Sequence, residues 1–363
     1  MIKRLDQNLS EYIKSQQYIH NTYTIVKELV ENSLDANSKI IKVYFDDKLI
    51  SVDDNGDGIV DIKNTGREHY TSKDLTSYSL LGLNSNNDLQ NGYRGIALSA
   101  IKNLCDIEIT SKYKSDKIAY KKVFVNRQED AEPEKAIRES GTFVKVFNLF
   151  RDCKIRRVQN ERALTKHVKK TAELLESYAC VYDVHFVLTF KKKQILSIKG
   201  CGHLKNYIFQ TYKDHLEASL TRDNRSYYFF MLPFTEKKSV QKIFLNKRVV
   251  RSTKILRLIK DTYNMFNEGT PTFFIDFKDS ADFNISPDKS EFIIRNEEEL
   301  IRSIREDITR FFRDQVYLEG KNNTVVIEEE VNSKETPFVS QDTIIEDKTE
   351  ISNDLNNVIT PFT

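Results

Sequence analysis

An amphipathic helix followed at once by two alternating strands constrains the fold of this chain more than any other feature. Residues 22–36 repeat apolar side chains at helical spacing, with Thr22 or Thr24 as the predicted N-cap. Residues 40–52 then alternate apolar and polar side chains, as the two strands of a hairpin do. Helical and antiparallel-strand patterns continue to interleave along the chain, which predicts an α+β layered fold.

The length of 363 residues predicts two domains, because one domain usually has roughly 100–200 residues. Residues 321–363 hold nine acids and three lysines, a net charge of −6, so the overall +2 leaves +8 on residues 1–320. This basic body is compatible with a polyanionic partner. No apolar run reaches the ~20 residues of a membrane span. Four scattered cysteines predict a reduced, intracellular protein without a disulfide framework.

The first candidate for chemistry is the polar face of the helix at 22–36. Glu28 and Asn32 lie four residues apart and share a helix face, and Asp35 lies about one turn further on. A carboxylate there can act as a general base toward water, and the neighbouring amide oxygen can bind Mg²⁺. A polar stripe that only faces solvent is the alternative interpretation.

The second candidate is the segment DDNGDG at residues 53–58. Its acids match the early positions of a calcium loop, but Asn64 stands where such a loop requires a bidentate glutamate. The segment also fits a carboxylate held at a strand end, which can accept a hydrogen bond from an exocyclic amine such as that of adenine. A hairpin turn without a function is the third interpretation.

Two weaker candidates concern phosphate. Residues 92–95, GYRG, open a predicted helix at 95–104, and a helix N-terminus favours bound phosphate. Lys289 follows a Pro-Asp turn in DFNISPDKSE, from which it can reach a phosphate held by another domain. Each of these segments also fits an ordinary turn. The chain has neither a Walker A motif nor a GxGxxG motif, which excludes the P-loop and Rossmann classes.

The order and spacing of these segments resemble the MutL family of mismatch-repair ATPases, which belongs to the GHKL (Bergerat-fold) superfamily. The matching segments span about residues 2–315 and read KELVENSLDA, DDNGDGI, EHYTSKDL, GYRGIALSAI, GTFVKVFNLF, FLNKRVV and NISPDKSEF. HYTSK and NISPDK look like the eukaryotic Pms branch. The resemblance implies a Bergerat ATPase α/β sandwich at 1–215, a ribosomal-S5-like transducer domain at 216–319 and an acidic disordered linker or tail at 320–363.

The resemblance also implies a role for each matched residue, with ATP and Mg²⁺ as the cofactors. Glu28 matches the general base, Asn32 the Mg²⁺ ligand and Lys289 the lysine that reaches the γ-phosphate. Asp54 matches the aspartate that binds the adenine amino group. The remaining nucleotide-binding positions are Gly58, Thr71, Ser72, Lys73, Gly92, Tyr93, Arg94, Gly95 and Thr142.

The chain departs from the family pattern at three places. Ile96 stands where the family has an acid, Glu68 where the family lid has an arginine, and DCKIRR where NLPVR is expected. The first two positions bear on lid closure and turnover rather than on nucleotide binding. A degenerate nucleotide-binding scaffold without turnover is therefore the alternative function.

The implied function is a slow, Mg²⁺-dependent ATPase switch, in which ATP orders the lid and the N-terminal regions close as a clamp around DNA during mismatch repair in the nucleus. The implied partners are double-stranded or mismatched DNA, an Mlh-type homologue bound through a further C-terminal domain, and a MutS-type mismatch sensor, with no membrane. No DQHAx₂Ex₄E endonuclease motif occurs in this sequence. The candidate DNA-binding residues, taken from a basic stretch, are Arg156, Arg157, Lys169 and Lys170.

Overall fold

The computed structural model describes residues 6–66, 97–129, 132–212, 216–222, 225–230, 240–266, 269–279, 281–282, 292–294, 296–316 and 326–328. The helices in these ranges are α1 (Gln7–Tyr18), α2 (Thr22–Asp35), α3 (Ala97–Leu104), α4 (Lys154–Arg162), α5 (Leu164–Ala179), α6 (Leu204–Tyr212), α7 (Thr253–Tyr263) and α8 (Glu297–Val316). The strands are β1 (Ile40–Phe45), β2 (Leu49–Asp54), β3 (Asp106–Lys112), β4 (Ala119–Val125), β5 (Gln128–Glu129), β6 (Glu134–Ala136), β7 (Gly141–Phe147), β8 (His185–Phe190), β9 (Lys193–Lys199), β10 (Leu216–Arg222), β11 (Arg225–Phe230), β12 (Gln241–Leu245), β13 (Arg248–Val250), β14 (Thr272–Phe277), β15 (Ala281–Asp282), β16 (Ile293–Ile294) and β17 (Val326–Glu328).

The first nine strands form one mixed sheet. Its order is β5-β4-β3-β7-β2-β1-β8-β9, and β6 pairs with β4. The described pairings are antiparallel except that of β1 with β8. Helix α2 contacts β1 and β2 as well as α5, and its apolar residues Ile25, Val26 and Val30 are buried in the core. This central position of α2 places its polar residues next to the sheet.

The later strands form a second sheet, in the order β13-β12-β14-β11-β10-β17. Helices α7 and α8 contact each other and share a hydrophobic core with this sheet. In α8, the residues Leu300, Ile304, Ile308 and Phe311 recur at helical spacing and are all buried. The apolar stripe of the sequence therefore forms the inner face of α8.

A third hydrophobic cluster joins the two sheets at the end of α5. Val181, which follows this helix, belongs to one cluster with Phe244 of β12 and Phe274 of β14. The partly buried ammonium of Lys242 on β12 donates a hydrogen bond to Ser177 Oγ of α5 at 2.7 Å, and desolvation lowers the pKa of this lysine. Both sheets therefore belong to one compact unit.

The sequence predicts most of these elements, and the structure corrects several details. The N-cap of α2 is Asn21, not Thr22 or Thr24, because Asn21 Oδ1 accepts the amide hydrogen of Thr24 at 3.0 Å. The sequence pattern predicts a helix at roughly 160–178, which the structure confirms as α5, whereas the preceding helix α4, which meets α5 at Ala163, is not predicted. Helices α1 and α6 and strand β9 are not predicted. Three residues of the segment expected to be disordered from 320 onward form β17, which pairs in parallel with β10.

Two general expectations concern membranes and cysteines. In the described ranges, no helix has both the length and the apolar content that a membrane crossing requires. The four cysteines are free, and burial raises the pKa of Cys105 and of Cys180 to about 12. These two thiols therefore remain protonated and act as small apolar side chains.

Candidate nucleotide site

From Thr24 onward, helix α2 is almost wholly buried, and its partly accessible residues form a single stripe. Between Thr24 and Asp35, only Glu28, Asn32 and Asp35 are partly exposed, at positions i, i+4 and i+7. This confirms that the three residues share one face, which is more accessible than the rest of the helix. Carboxylate and amide oxygens are the donors that Mg²⁺ takes together with phosphate oxygens, so the stripe fits this ion.

Buried polar contacts on the other side of α2 fix its rotation. Tyr178 of α5 donates a hydrogen bond to Glu31 Oε1 at 2.9 Å, and Lys27 Nζ lies 2.9 Å from the same oxygen. Burial raises the pKa of Tyr178 well above its ordinary value, so the phenol stays a donor. At the start of the helix, the amide of Thr22 donates to Asn160 Oδ1 at 3.0 Å. These contacts fix the direction in which the stripe of Glu28, Asn32 and Asp35 faces.

Asp54, the last residue of β2, holds its buried carboxylate among three donors. Oδ2 accepts the hydroxyl hydrogen of Ser33 on α2 at 2.8 Å, and Oδ1 accepts the amide hydrogens of Gly56 at 2.9 Å and Thr142 at 3.2 Å. Burial raises the pKa of Asp54 above its ordinary value, whereas these hydrogen bonds oppose the rise. A fixed carboxylate of this kind can accept a hydrogen bond from an amine, and its adenine role stays a prediction.

Polar side chains continue from Asp54 across the same face of the sheet. Thr142 on β7 lies opposite Ser111 on β3, and Ser111 lies opposite Tyr120 on β4. Ser111 Oγ is 3.0 Å from Thr142 Oγ1 and donates to the carbonyl of Gly141 at 3.1 Å. The structure therefore places Thr142 beside Asp54, within a row of hydroxyl groups on one face of the sheet.

The loop at 55–66, which follows Asp54, lies against the end of β3. The amide of Ile59 donates to Ser111 Oγ at 2.9 Å, and the amide of Lys114 donates to the carbonyl of Asp57 at 2.9 Å. Gly58 has φ +77°, and a Cβ at this position would lie 2.1 Å from the carbonyl oxygen of Lys112. Only glycine allows the loop to approach the strand this closely.

The arrangement of the acids does not support the calcium-loop interpretation of 53–58. Asp53 pairs with Arg138 at 2.8 Å, and Asp57 pairs with Lys114 at 3.2 Å. Asp61 binds Asn64 instead of a shared centre. In the part of the chain that the structure describes, no group of three or more His, Cys, Asp or Glu side chains has the geometry of a metal site.

Several predicted residues lie outside the described ranges, so their roles stay predictions. They are Thr71, Ser72, Lys73, Gly92, Tyr93, Arg94, Gly95 and Lys289. The two departures in the lid, Glu68 and Ile96, also lie outside these ranges. The helix predicted at 95–104 is described from Ala97 onward, as α3.

The four candidate DNA-binding residues on α4 and α5 have different surroundings. Arg157, Lys169 and Lys170 are exposed. Arg156 is half-buried, and its guanidinium lies 5.7 Å from the ring centroid of Phe150. Arg156 therefore contributes to packing. Lys170 also lies near a ring, with its ammonium 5.8 Å from the ring centroid of Tyr23.

Sequence reasoning does not identify three residues that surround the strand-end carboxylate. Ser33 orients it from α2, and Ser111 extends the row of hydroxyl groups. Arg138 donates to the side chain of Asp53 and to the carbonyl of Asp54. Ser33 could be predicted, because a serine on the buried side of α2 needs a hydrogen-bond partner. Arg138 could not, because strand pairing places it beside β2 and no local pattern of the sequence reveals that pairing.

Two family models match this chain. The model described as "Histidine kinase-, DNA gyrase B-, and HSP90-like ATPase" matches residues 20–148. The model described as "DNA mismatch repair protein, C-terminal domain" matches residues 210–313. The first match contains α2, Asp54 and Thr142, and the second contains most of the second sheet with α7 and α8.

Curated relatives match along most of this chain. "Mismatch repair endonuclease PMS2" of Gallus gallus is 26% identical over 365 residues, covering 87% of this chain and 41% of that protein. "DNA mismatch repair protein MutL" of Clostridium botulinum (strain Langeland) is 28% identical, covering 93% of this chain and 55% of its own length. "DNA mismatch repair protein PMS1" of Arabidopsis thaliana is 28% identical, and the match covers 92% of this chain and 38% of that protein. The chain thus spans about half or less of the length of these relatives.

Solved structures share the fold. "Crystal Structure of N terminal domain of a DNA repair protein" has a TM-score of 0.68 at 23% identity and covers 85% of this chain and 98% of its own. "Aquifex aeolicus MutL ATPase domain complexed with ADP" has a TM-score of 0.55 at 19% identity, and the match covers 80% of this chain and 97% of that chain.

The two sheets and the matched models define a GHKL ATPase fold followed by an S5-like domain of the mismatch-repair type. More closely, both parts of the chain are similar to the MutL/PMS family of DNA mismatch repair proteins, to which the curated relatives at 26–28% identity belong. This confirms the α+β fold class and the family that the sequence motifs resemble.

Proposed function

We propose that this chain binds ATP, hydrolyses it slowly with Mg²⁺, and uses the bound nucleotide as a conformational switch in DNA mismatch repair. The hydrogen bond from Ser33 to Asp54 carries this proposal, because it joins the two parts of the candidate site. Ser33 directly follows Asn32 in α2, so the strand-end carboxylate lies next to the accessible stripe of the helix. A fold neighbour whose title includes bound ADP supports a nucleotide as the ligand.

Each described residue has a distinct task in the proposed reaction. Asp54 accepts a hydrogen bond from the adenine amino group, while Thr142 and Gly58 form the walls around the base. Glu28 orients the attacking water and accepts its proton. Asn32 would hold Mg²⁺ through its amide oxygen, and that ion when bound neutralises charge on the phosphates. Positioning and charge neutralisation supply most of the acceleration in phosphoryl transfer.

The proposed switch uses residues outside the described ranges. Thr71, Ser72 and Lys73, together with residues 92–95, are proposed to close over the phosphates, and Lys289 is proposed to reach the γ-phosphate from the second domain. A bound nucleotide shifts such an equilibrium only by its difference in affinity for the two states. If closure fails at Glu68 or Ile96, the chain is the non-hydrolysing scaffold instead.

The wider biological role rests on the relatives. We propose domains at 1–215, 216–319 and 320–363, closure of the N-terminal regions around double-stranded or mismatched DNA, and action with an Mlh-type homologue and a MutS-type sensor. The relatives named PMS1 and PMS2 come from eukaryotes, which supports a nuclear location. The exposed Arg157, Lys169 and Lys170 support contacts with phosphate.

Replacing Glu28 by alanine tests the proposal. Removal of the general base should lower ATP hydrolysis by about 10²–10⁴-fold, because positioned proton transfer contributes this much. ADP affinity should stay near that of the wild type, because the base and phosphate contacts remain. Glu173→Ala is the control, since Glu173 is an exposed carboxylate on α5. A steady-state phosphate-release assay and calorimetric titration with ADP measure the two quantities.

Three outcomes separate the alternatives. Loss of ADP binding with unchanged hydrolysis in Glu28→Ala would contradict the assigned role of this residue. ATP binding without any turnover in the wild type would favour the scaffold. Absence of both binding and turnover in a folded wild-type chain would refute the proposed function. Size-exclusion chromatography with a non-hydrolysable ATP analogue reports whether two copies associate in the nucleotide-bound state.

A further inference from the structure

Lys122 is a buried cation in an apolar row of the first sheet. It lies in the middle of β4 and is only 2% exposed. In the strand register it lies opposite Ile109 of β3, which in turn lies opposite Val144 of β7, and both of these residues belong to the hydrophobic core. The polar row with Ser111 and Thr142 is two residues away along the strands, on the same face.

The ammonium group of Lys122 binds the far end of the loop at 55–66. Nζ donates hydrogen bonds to the carbonyl of Lys63 and, at 3.4 Å, to that of Thr65. It also lies 5.1 Å from the ring centroid of Phe124, and a Cβ on Gly66 would lie 2.8 Å from this ring. Because a buried ammonium is costly without hydrogen bonds, the two carbonyls hold Lys122 and the loop end together.

The near end of the same loop is fixed at the candidate nucleotide site. The amide of Gly56 donates to Asp54, and the amide of Ile59 donates to Ser111. Gly58, the proposed wall beside the purine, lies between Gly56 and Ile59 in the sequence. The loop is therefore fixed to the sheet at both ends, and residues 59–62 connect Gly58 to the end that Lys122 binds.

We propose that Lys122 is a positioning residue for the nucleotide pocket: it holds the turn at 61–66 on the sheet and so keeps the loop around Gly58 in its binding conformation. The lysine does not touch the nucleotide, and it acts through the carbonyls of Lys63 and Thr65. This inference rests on the proposed function for its effect on affinity. The contact between the lysine and the loop is independent of any nucleotide.

The test replaces Lys122 by methionine in the full chain. The methionine keeps an apolar stem in the row of Ile109 and Val144, so the fold should persist. ADP affinity should fall about tenfold in calorimetry, since the charge-assisted hydrogen bonds to the loop are lost. The KM for ATP should rise by a similar factor while kcat stays near that of the wild type. Lys121→Met is the matched control, because Lys121 is adjacent on β4 and instead pairs with Glu134 at 3.1 Å.

Two further measurements do not depend on nucleotide. Hydrogen exchange at the amides of Asn64 and Thr65, which bind Asp61 and Ile62 within the turn, should become faster in Lys122→Met and stay unchanged in Lys121→Met. Lys122→Arg keeps a cation that can donate to carbonyls, so it should restore slow exchange at least in part. These measurements report the anchor itself, that is, the contact of Lys122 with the carbonyls of Lys63 and Thr65.

The outcomes separate the role proposed for Lys122 from the proposed function of the nucleotide site. Wild-type ADP affinity in a folded Lys122→Met, or equal losses in Lys121→Met, overturns the proposal. Unchanged exchange at 61–66 also overturns it, even if the wild-type chain binds no adenine nucleotide. Faster exchange without any nucleotide binding by the wild type would leave the anchor in place and refute the proposed function instead.

Discussion

Replacing Asp54 by asparagine separates its contribution to folding from its contribution to binding. The amide oxygen of asparagine can still accept the N–H groups of Gly56 and Thr142. Its NH₂ group then faces Ser33 Oγ, whose hydrogen can turn fully to the carbonyl of Leu29 at 3.1 Å. The donors of Ser33, Gly56 and Thr142 therefore each keep an acceptor in the folded protein.

The substitution should weaken ADP binding much more than it changes the free energy of unfolding. The adenine amino group would meet an NH₂ group or a neutral oxygen where the wild type offers a charged acceptor. Hydrogen bonds to charged groups contribute about 1.5–3 kcal/mol, so the Kd for ADP should rise about 10- to 150-fold.

Stability at neutral pH should be equal or higher in Asp54→Asn. Burial raises the pKa of Asp54 in the folded state, so the stability from this group is fully present below its unfolded pKa and is lost as the pH rises through the folded pKa. Asparagine does not ionise, so it avoids this loss. Urea unfolding should therefore show the variant at or above the wild-type midpoint at neutral pH, with a smaller difference in acid.

The assay pairs calorimetry with ADP and urea unfolding of the same samples. Asp53→Asn is the matched control, because Asp53 is the preceding residue on β2, points to the other face and pairs with Arg138. Its ADP affinity should equal that of the wild type. Wild-type affinity in Asp54→Asn, or a loss of several kcal/mol of unfolding free energy, would refute the reasoning.

Two further predictions concern stability. Replacing Gly58 or Gly202 by alanine would strain the backbone to a similar degree, because their φ angles of +77° and +75° are left-handed. Such strain lowers the free energy of unfolding by about 1–3 kcal/mol. In urea unfolding, Gly58→Ala should lower the free energy of unfolding more than Gly202→Ala does. The new Cβ at position 58 would lie 2.1 Å from a backbone oxygen, whereas the nearest atom to a Cβ at position 202 is 3.4 Å away. Equal decreases in the two variants would contradict this prediction. Burial also raises the pKa of Asp276 from 3.8 to about 6, so the stability from its protonated form is lost as the pH rises through about 6. The urea midpoint of the wild type should fall over this range more than that of Asp276→Asn, and parallel profiles of the two proteins would show that Asp276 does not titrate in this way.

The elements that depend on local pattern are predictable from the sequence. The i, i+4 spacing of Glu28 and Asn32 gives their shared face, because helix geometry alone determines it. Asp54 is predictable as a strand-end residue, since alternation stops there and glycines follow. The bounds of α8 follow from its regular apolar stripe and the acidic residues of its first turn.

Contacts between distant segments are not predictable in this way. Lys121 and Lys122 are identical in type and adjacent, yet one is partly exposed and the other is buried, because the register with β3 decides which face each one takes. The pairing of Tyr178 with Glu31 likewise depends on how α5 packs against α2. No local pattern contains this information, since it arises from packing across the fold.

The parallel pairing of β1 with β8 makes the nucleotide site a late product of folding. Residues 28–54 leave the ribosome before β8 does, so β1 lacks one neighbour until His185–Phe190 has been synthesised, and α2 lacks the support of α5 until that helix has been made. Closing such a long segment costs chain entropy before the contacts repay it, which slows folding. The candidate nucleotide site therefore gains its native geometry only after β8 has been synthesised, and a ligand bound at that stage would stabilise the whole first sheet.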